Sequence, residues 1–80
     1  MEVQIIYSEE CPHCQELIQQ LEKQSGIPGF DIDLVELSTE EAQKLIEDKN
    51  IDQVPTVINA NGVFCEISYI GDRVELVCPT

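Results

Sequence analysis

Apolar positions first gather in Val3 to Tyr7, a short run rich in β-branched residues that fits a buried strand. The period then lengthens. Ser8-Glu9-Glu10-Cys11 leads into a stretch where Leu17, Ile18 and Leu21 recur at helical spacing, with Pro12 suited to the first helical position and Gly26 to the stop. Asp31 to Leu37 alternates acidic and apolar residues, so Ile32, Leu34 or Val35, and Leu37 predict a second strand. Ser38-Thr39-Glu40-Glu41 has the form of a capping box, and Ala42, Leu45 and Ile46 predict the inward face of a helix ending near Asn50. From Pro55 the period drops to two. Thr56-Val57-Ile58 reads as a strand, Asn61-Gly62 as a hairpin turn, and Val63 to Ile70 as the returning strand. The order β-α-β-α-β-β predicts a mixed sheet, half parallel and half antiparallel.

The last ten residues allow two structures. Arg73 to Cys78 can form a short helix with Val74, Val77 and Cys78 inward. With a type II′ turn at Gly71-Asp72 it instead forms a strand that pairs Tyr69 with Val74, Ile67 with Leu76 and Cys65 with Cys78. That register gathers Cys65, Ile67, Tyr69, Val74, Leu76 and Cys78 on one face, and a one-residue slip would scatter them, so the strand is favoured. Cys65 and Cys78 would then face each other at a non-hydrogen-bonded position, about 4.5 Å apart at Cα. A bridge can form there, although two thiols are the expected state in a reducing compartment. Tyr7, Phe30, Phe64 and Tyr69 are expected in or beside the core.

Eighty residues make one domain, residues 1–80, with a thin core, since chains of this size bury only about 60% of their unfolded surface. Sixteen acidic residues against four basic ones give a net charge of −12. Such a surface repels phosphate backbones and anionic lipids, so neither nucleic acid nor membrane is an expected partner. The start, Met1-Glu2-Val3-Gln4, lacks a basic region followed by an apolar stretch, so a cytoplasmic monomer is the default expectation.

Candidate chemistry lies in Cys11-Pro12-His13-Cys14, where a strand hands over to a helix. Unpaired N–H groups and the helix dipole favour a thiolate at Cys11, the form that acts as nucleophile. Cys14 lies on the same helical turn. Pro12 stiffens that turn, and His13 can add positive charge beside the sulfur, so both are candidate tuners of the Cys11 pKa. Three functions stay open for the pair: dithiol chemistry, a structural disulfide, or ligation of zinc or an iron–sulfur cluster by Cys11, His13, Cys14 and one more cysteine.

The tetrad after a strand, with Val54-Pro55-Thr56 opening another strand about forty residues on, resembles the thioredoxin superfamily, and among its members the small glutaredoxin-like proteins. The resemblance implies a thioredoxin-like α/β fold with helices flanking a mixed sheet. The terminal helix usual there would be replaced by a short fifth strand. It further implies a thiol–disulfide oxidoreductase that needs no cofactor and no metal. In that reading Cys11 attacks, Cys14 resolves, and Val54, Pro55 and Thr56 bind substrate beside a cis-proline. Substrates would be protein disulfides or low-molecular-weight thiols, with a reductase or glutathione as electron source. The alternative from another class is a metal or iron–sulfur carrier on the same fold. Glu10 stands where thioredoxin has a tryptophan, and Gly71-Asp72 is all that remains of the glutathione-binding segment of glutaredoxins.

Overall fold

The computed structural model describes residues 1–79. In chain order the elements are β1 (Glu2–Tyr7), α1 (Pro12–Lys23), β2 (Asp31–Glu36), α2 (Glu40–Lys49), β3 (Thr56–Asn59), β4 (Phe64–Ile70) and β5 (Arg73–Val77). The strands form one sheet in the order β2-β1-β3-β4-β5. β1 and β2 are parallel, and every other neighbouring pair is antiparallel. The molecule is thus a small mixed α/β domain with a five-stranded sheet and two helices.

Alternation along the strands decides which helix covers which face. Val3, Ile5 and Val57 point toward α1, where Leu17 and Leu21 pack on them together with Cys65, Val74 and Leu76. Ile6 and Ile58, each one residue out of phase with that set, point the other way and meet Val35 and Ala42 under α2. Val35 is buried and Leu34 is 41% exposed, which resolves the ambiguity in β2.

Helix ends depart from expectation in instructive ways. α1 stops at Lys23, before Gly26, because Ser25 takes the left-handed conformation with φ 58°. Ser25 N–H then reaches Glu22 O at 3.3 Å and Gly26 N–H reaches Leu21 O at 2.8 Å, the paired bonds of a Schellman motif. α2 is capped by Thr39, whose Oγ1 accepts from Ala42 N–H at 3.2 Å. The third helical position is therefore Ala42, so the expected box with Glu41 does not close; Glu41 accepts from Gln4 on β1 instead. Asn50 ends the helix in the left-handed conformation, at the expected place.

The first hairpin uses a three-residue loop, Ala60-Asn61-Gly62, with Gly62 at φ 76°. Asn59 is buried because its Oδ1 accepts from the N–H groups of Asn61 and Val63, at 2.9 and 3.0 Å. The second hairpin has the register read from the sequence: Ile70 faces Arg73, Tyr69 faces Val74 and Ile67 faces Leu76. Gly71, at φ 61°, supplies the conformation its turn requires. Phe64 and Tyr69 are not core residues, being 46% and 60% exposed; Phe64 pairs with Ile58 on the face of the sheet away from α1, and the cluster under α2 does not extend to β4.

Candidate functional site

The site begins with the strand-to-helix junction. Cys11 N–H bonds Ser8 O at 3.2 Å, and Gln15 Nε2 reaches back to Glu9 O at 3.1 Å. These bonds close the Ser8–Cys11 turn against the helix it introduces. Cys11 is the N-cap of α1, Pro12 takes the first helical position, and the Cys11 sulfur accepts from Cys14 N–H at 3.2 Å. A sulfur placed there receives donors that have no partner inside the helix.

The two sulfurs are driven apart in acidity. The Cys11 pKa is lowered, first by a hydrogen bond from the Cys14 side chain, then by the backbone N–H groups of Cys14 and His13, with burial opposing them. Cys14 is buried, and its pKa is pushed up to about 11 by that burial and by the same hydrogen bond. One side chain therefore holds its proton while the other gives it up. Both are free thiols. His13, expected as a charge beside the sulfur, contributes its backbone N–H, and its side chain is exposed.

Across from the helix tip, the Val54–Pro55 peptide bond is cis, and Cys11 Sγ lies 3.8 Å from Val54 O. Val54 thus borders the sulfur through its carbonyl, and Pro55 follows it across the cis bond. Thr56 does not offer its hydroxyl to the site, because that group donates to Gln53 O at 2.5 Å. A groove of about 400 Å³ runs beside Pro55 and Thr56, lined also by Lys49, Asp52, Phe64 and Ile67. The second cysteine pair stands apart, in the β4–β5 hairpin: Cys65 and Cys78 form a disulfide with Cα atoms 4.2 Å apart. Their default expectation as two thiols is corrected; the register brings the Cβ atoms together as the face-sorting predicted.

Residue-by-residue reading missed Ser8, whose carbonyl accepts from Cys11 N–H, and Gln15, whose side-chain amide donates to Glu9 O. Gln15 alone carried a local signal, four residues after the N-cap.

A sequence model described as papain fold toxin 2 matches residues 2–78. No curated protein matches the chain, and no solved structure does. The family match overturns the resemblance to the thioredoxin superfamily, and with it the thiol–disulfide oxidoreductase and its role in electron transport. That resemblance rested on two short motifs. A cysteine at a helix N-terminus beside a proline-led strand serves any thiolate nucleophile, so the local geometry does not single out one family. The metal or iron–sulfur carrier is corrected as well: among the described residues, no three His, Cys, Asp or Glu side chains are placed to hold a metal ion. The match spans nearly the whole chain, and the chain belongs to the papain fold toxin 2 family.

Proposed function

We propose that the protein is an enzyme that attacks an acyl carbon with the Cys11 thiolate, in keeping with the papain fold named in its family. The observation that carries this reading is the Cys11 sulfur at the N-cap of α1, accepting from Cys14 N–H at 3.2 Å. A cysteine so placed is ionised at a lower pH than a free one and needs no base to deprotonate it at the moment of attack.

The sulfur forms a bond to the carbonyl carbon, and the bond to the leaving amine or alcohol breaks, giving a Cys11 thioester. Water then attacks the thioester, releasing the acid and returning the thiol. The leaving group needs a proton. Papain-like enzymes draw it from a histidine paired with the cysteine. This chain has a single histidine, His13, two positions from the nucleophile, which makes it the one imidazole available for that role. Cys14, neutral up to about pH 11, serves as a hydrogen-bond donor to the thiolate. The groove beside Pro55 gives the acyl chain a place to lie.

The test is acylation by p-nitrophenyl acetate at neutral pH. A burst of nitrophenol equal to the enzyme present, an acetyl group mapped to Cys11 by mass, and continued turnover are expected; Cys11→Ser should lose all three. His13→Ala should keep the burst and slow the turnover by about a hundredfold, the scale of general acid–base catalysis. Acylation no faster than that of a free cysteine peptide would overturn the reading. So would formation of a Cys11–Cys14 disulfide with no acyl turnover.

A further inference from the structure

The sheet ends in two edge strands, β5 and β2, and α1 guards only the first. Gln24 Nε2 donates to Val74 O at 2.9 Å, and Gln24 Oε1 accepts from Val74 N–H at 3.0 Å. Gln20 Nε2 donates to Asp72 O at 2.7 Å. The outward backbone groups of β5 recur at every second residue, so Leu76 alone is left between these bonds and the disulfide-bonded Cys78.

β2 has no such cover. Asp31 N–H bonds Met1 O and Leu37 N–H bonds Tyr7 O, each at 2.8 Å. In a parallel ladder the odd-numbered residues from 31 to 37 therefore direct their backbone groups at β1, and Ile32 and Leu34 direct theirs away from the sheet. Among the described residues, no turn or cap bond reaches them. The next outward carbonyl, Glu36 O, is closed by Thr39, whose N–H lies at 3.1 Å and hydroxyl at 2.8 Å. The open window is thus two N–H groups and two carbonyls in extended backbone, beside a Leu34 side chain that is 41% exposed. An extended segment can add there as a further strand.

Side chains decide which segment fits. Alternation sets Ile32 and Leu34 on the α1 face, and Asp31 and Asp33 on the other, level with Glu2 and Gln4 of β1. On that second face these four residues line a groove of about 380 Å³ that runs on to Ile58 and Ala60. None of the chain's four basic side chains lines it. The Met1 ammonium, at the foot of β1, donates to Gly29 O at 2.8 Å. A second copy is a poor occupant: the antiparallel register that joins both windows sets Asp33 directly opposite its own counterpart, and like charges so placed are destabilising. A strand with basic residues at alternate positions meets the same carboxylates favourably.

We infer that the Ile32–Leu34 edge of β2 docks an extended segment of another protein, alternately basic and apolar, which joins the sheet. Its basic residues lie against Asp31 and Asp33, and its apolar ones against Ile32 and Leu34. The site stands independently of Cys11 and of any acyl chemistry.

Amide hydrogen exchange on the full chain reads this edge directly. In the protein alone, Ile32 and Leu34 N–H should exchange at least about a hundredfold faster than Asp33 and Val35 N–H, which bond β1. An acetylated and amidated Lys-Val-Lys-Val-Lys peptide should protect Ile32 and Leu34 in a saturable way. Glu-Val-Glu-Val-Glu should bind at least about tenfold more weakly, with the gap narrowing in salt. Replacing both acids, Asp31→Asn with Asp33→Asn, should weaken the Lys peptide about three- to tenfold. Leu34→Pro removes an outward N–H and no bond to β1, so the fold should hold while the peptide no longer binds. The Lys peptide with every amide N-methylated keeps its side chains and charge and should not bind, an arm that decides the matter even if the proline variant unfolds. No protection by the Lys peptide, equal binding of the Lys and Glu peptides, or full binding of the N-methylated one would overturn the docking site. So would protection of Ile32 and Leu34 without peptide; protection that grows with protein concentration would assign the edge to a second copy instead.

Discussion

The chain holds two pairs of cysteines, and the structure treats them in opposite ways. Cys11 and Cys14 sit on one helical turn, where backbone and thiol donors converge on the first sulfur and burial isolates the second. Cys65 and Cys78 sit across two antiparallel strands, thirteen residues apart in sequence, and are bonded to each other. The first pair is left unlinked and unequal, one sulfur ready to react and the other holding its proton. The second is linked and closes a hairpin that is covered on one face only. β5 is an edge strand and the face of the hairpin away from α1 carries exposed Phe64, Ile70 and Val77, while on the other face Val74 and Leu76 pack under α1 and Gln20 and Gln24 bond the backbone at Asp72 and Val74. The difference shows that a cysteine's role is set by the element it stands on. A helix N-terminus polarises a thiol, whereas a strand pair merely positions one.

Opening the second pair is the strongest way to press that contrast. The Cys65–Cys78 bond closes a loop of thirteen residues, for which the chain-entropy estimate is about 3 kcal/mol. Reduction, or replacement of both residues by Ser, should lower the urea-unfolding free energy by about that amount. Acylation at Cys11 should survive under conditions where the protein stays folded. A loss of stability below about 0.5 kcal/mol would mean that the strand ladder alone carries the hairpin. Loss of the Cys11 chemistry in the still-folded protein would mean the two regions are coupled.

The first pair should make itself felt in the pH dependence of stability. Cys14 in the fold keeps its proton to about pH 11, while an unfolded chain releases it near the ordinary thiol value of 9.0. Its contribution is therefore full below about 9 and declines as pH rises toward 11, by roughly 2–3 kcal/mol for a shift of that size. Cys11 runs the other way. Its lowered pKa gives stability that is present above the ordinary value and lost as pH falls through the folded one. Urea titrations from pH 8 to 11 should show the decline in wild type and a shallower one in Cys14→Ala, compared by slope because the substitution also removes packing. Equal slopes would show that burial does not hold the Cys14 proton.

How much of this was open to sequence reading depended on how local each cause is. The β4–β5 register was legible because a two-residue turn and a period of two leave few ways to sort Val74 and Leu76 from Arg73 and Glu75. The Cys11 cap was legible for the same reason, since Cys11, Pro12 and Cys14 make their own environment within one turn. What escaped was set from a distance. Ser25 joins Gly26 in the positive-φ region, because the Schellman bonds to Glu22 and Leu21 begin one position before the glycine. Asn59 is buried for its own loop, and Phe64 is exposed because it lies on the face of β4 away from α1, which the cluster under α2 does not reach. The family was misread for a related reason. Cys11–Cys14 and Val54–Pro55 are local features that serve more than one chemistry, and the match that assigns the family draws on residues 2–78 together.

The smallest effect asks which end of the hairpin sets its register. Gly71 holds φ at 61° at the tip, and the disulfide clamps the other end. A side chain at that φ costs on the order of 1 kcal/mol, because Cβ crowds the carbonyl in the left-handed region, and nothing lies within 4 Å of the added carbon to complicate the reading. Gly71→Ala should therefore lose about 1 kcal/mol in urea unfolding, and Gly71→Asn less, since asparagine tolerates the left-handed region. The informative comparison repeats both measurements after reduction of Cys65–Cys78. If turn and bond constrain the same ladder independently, the costs add, as separated sites usually do to within about 0.5 kcal/mol. A larger loss for Gly71→Ala in the reduced protein would show that the bond holds the register when the turn is strained. No loss in either state would mean the ladder from Glu66–Val77 to Ile70–Arg73 fixes the pairing unaided.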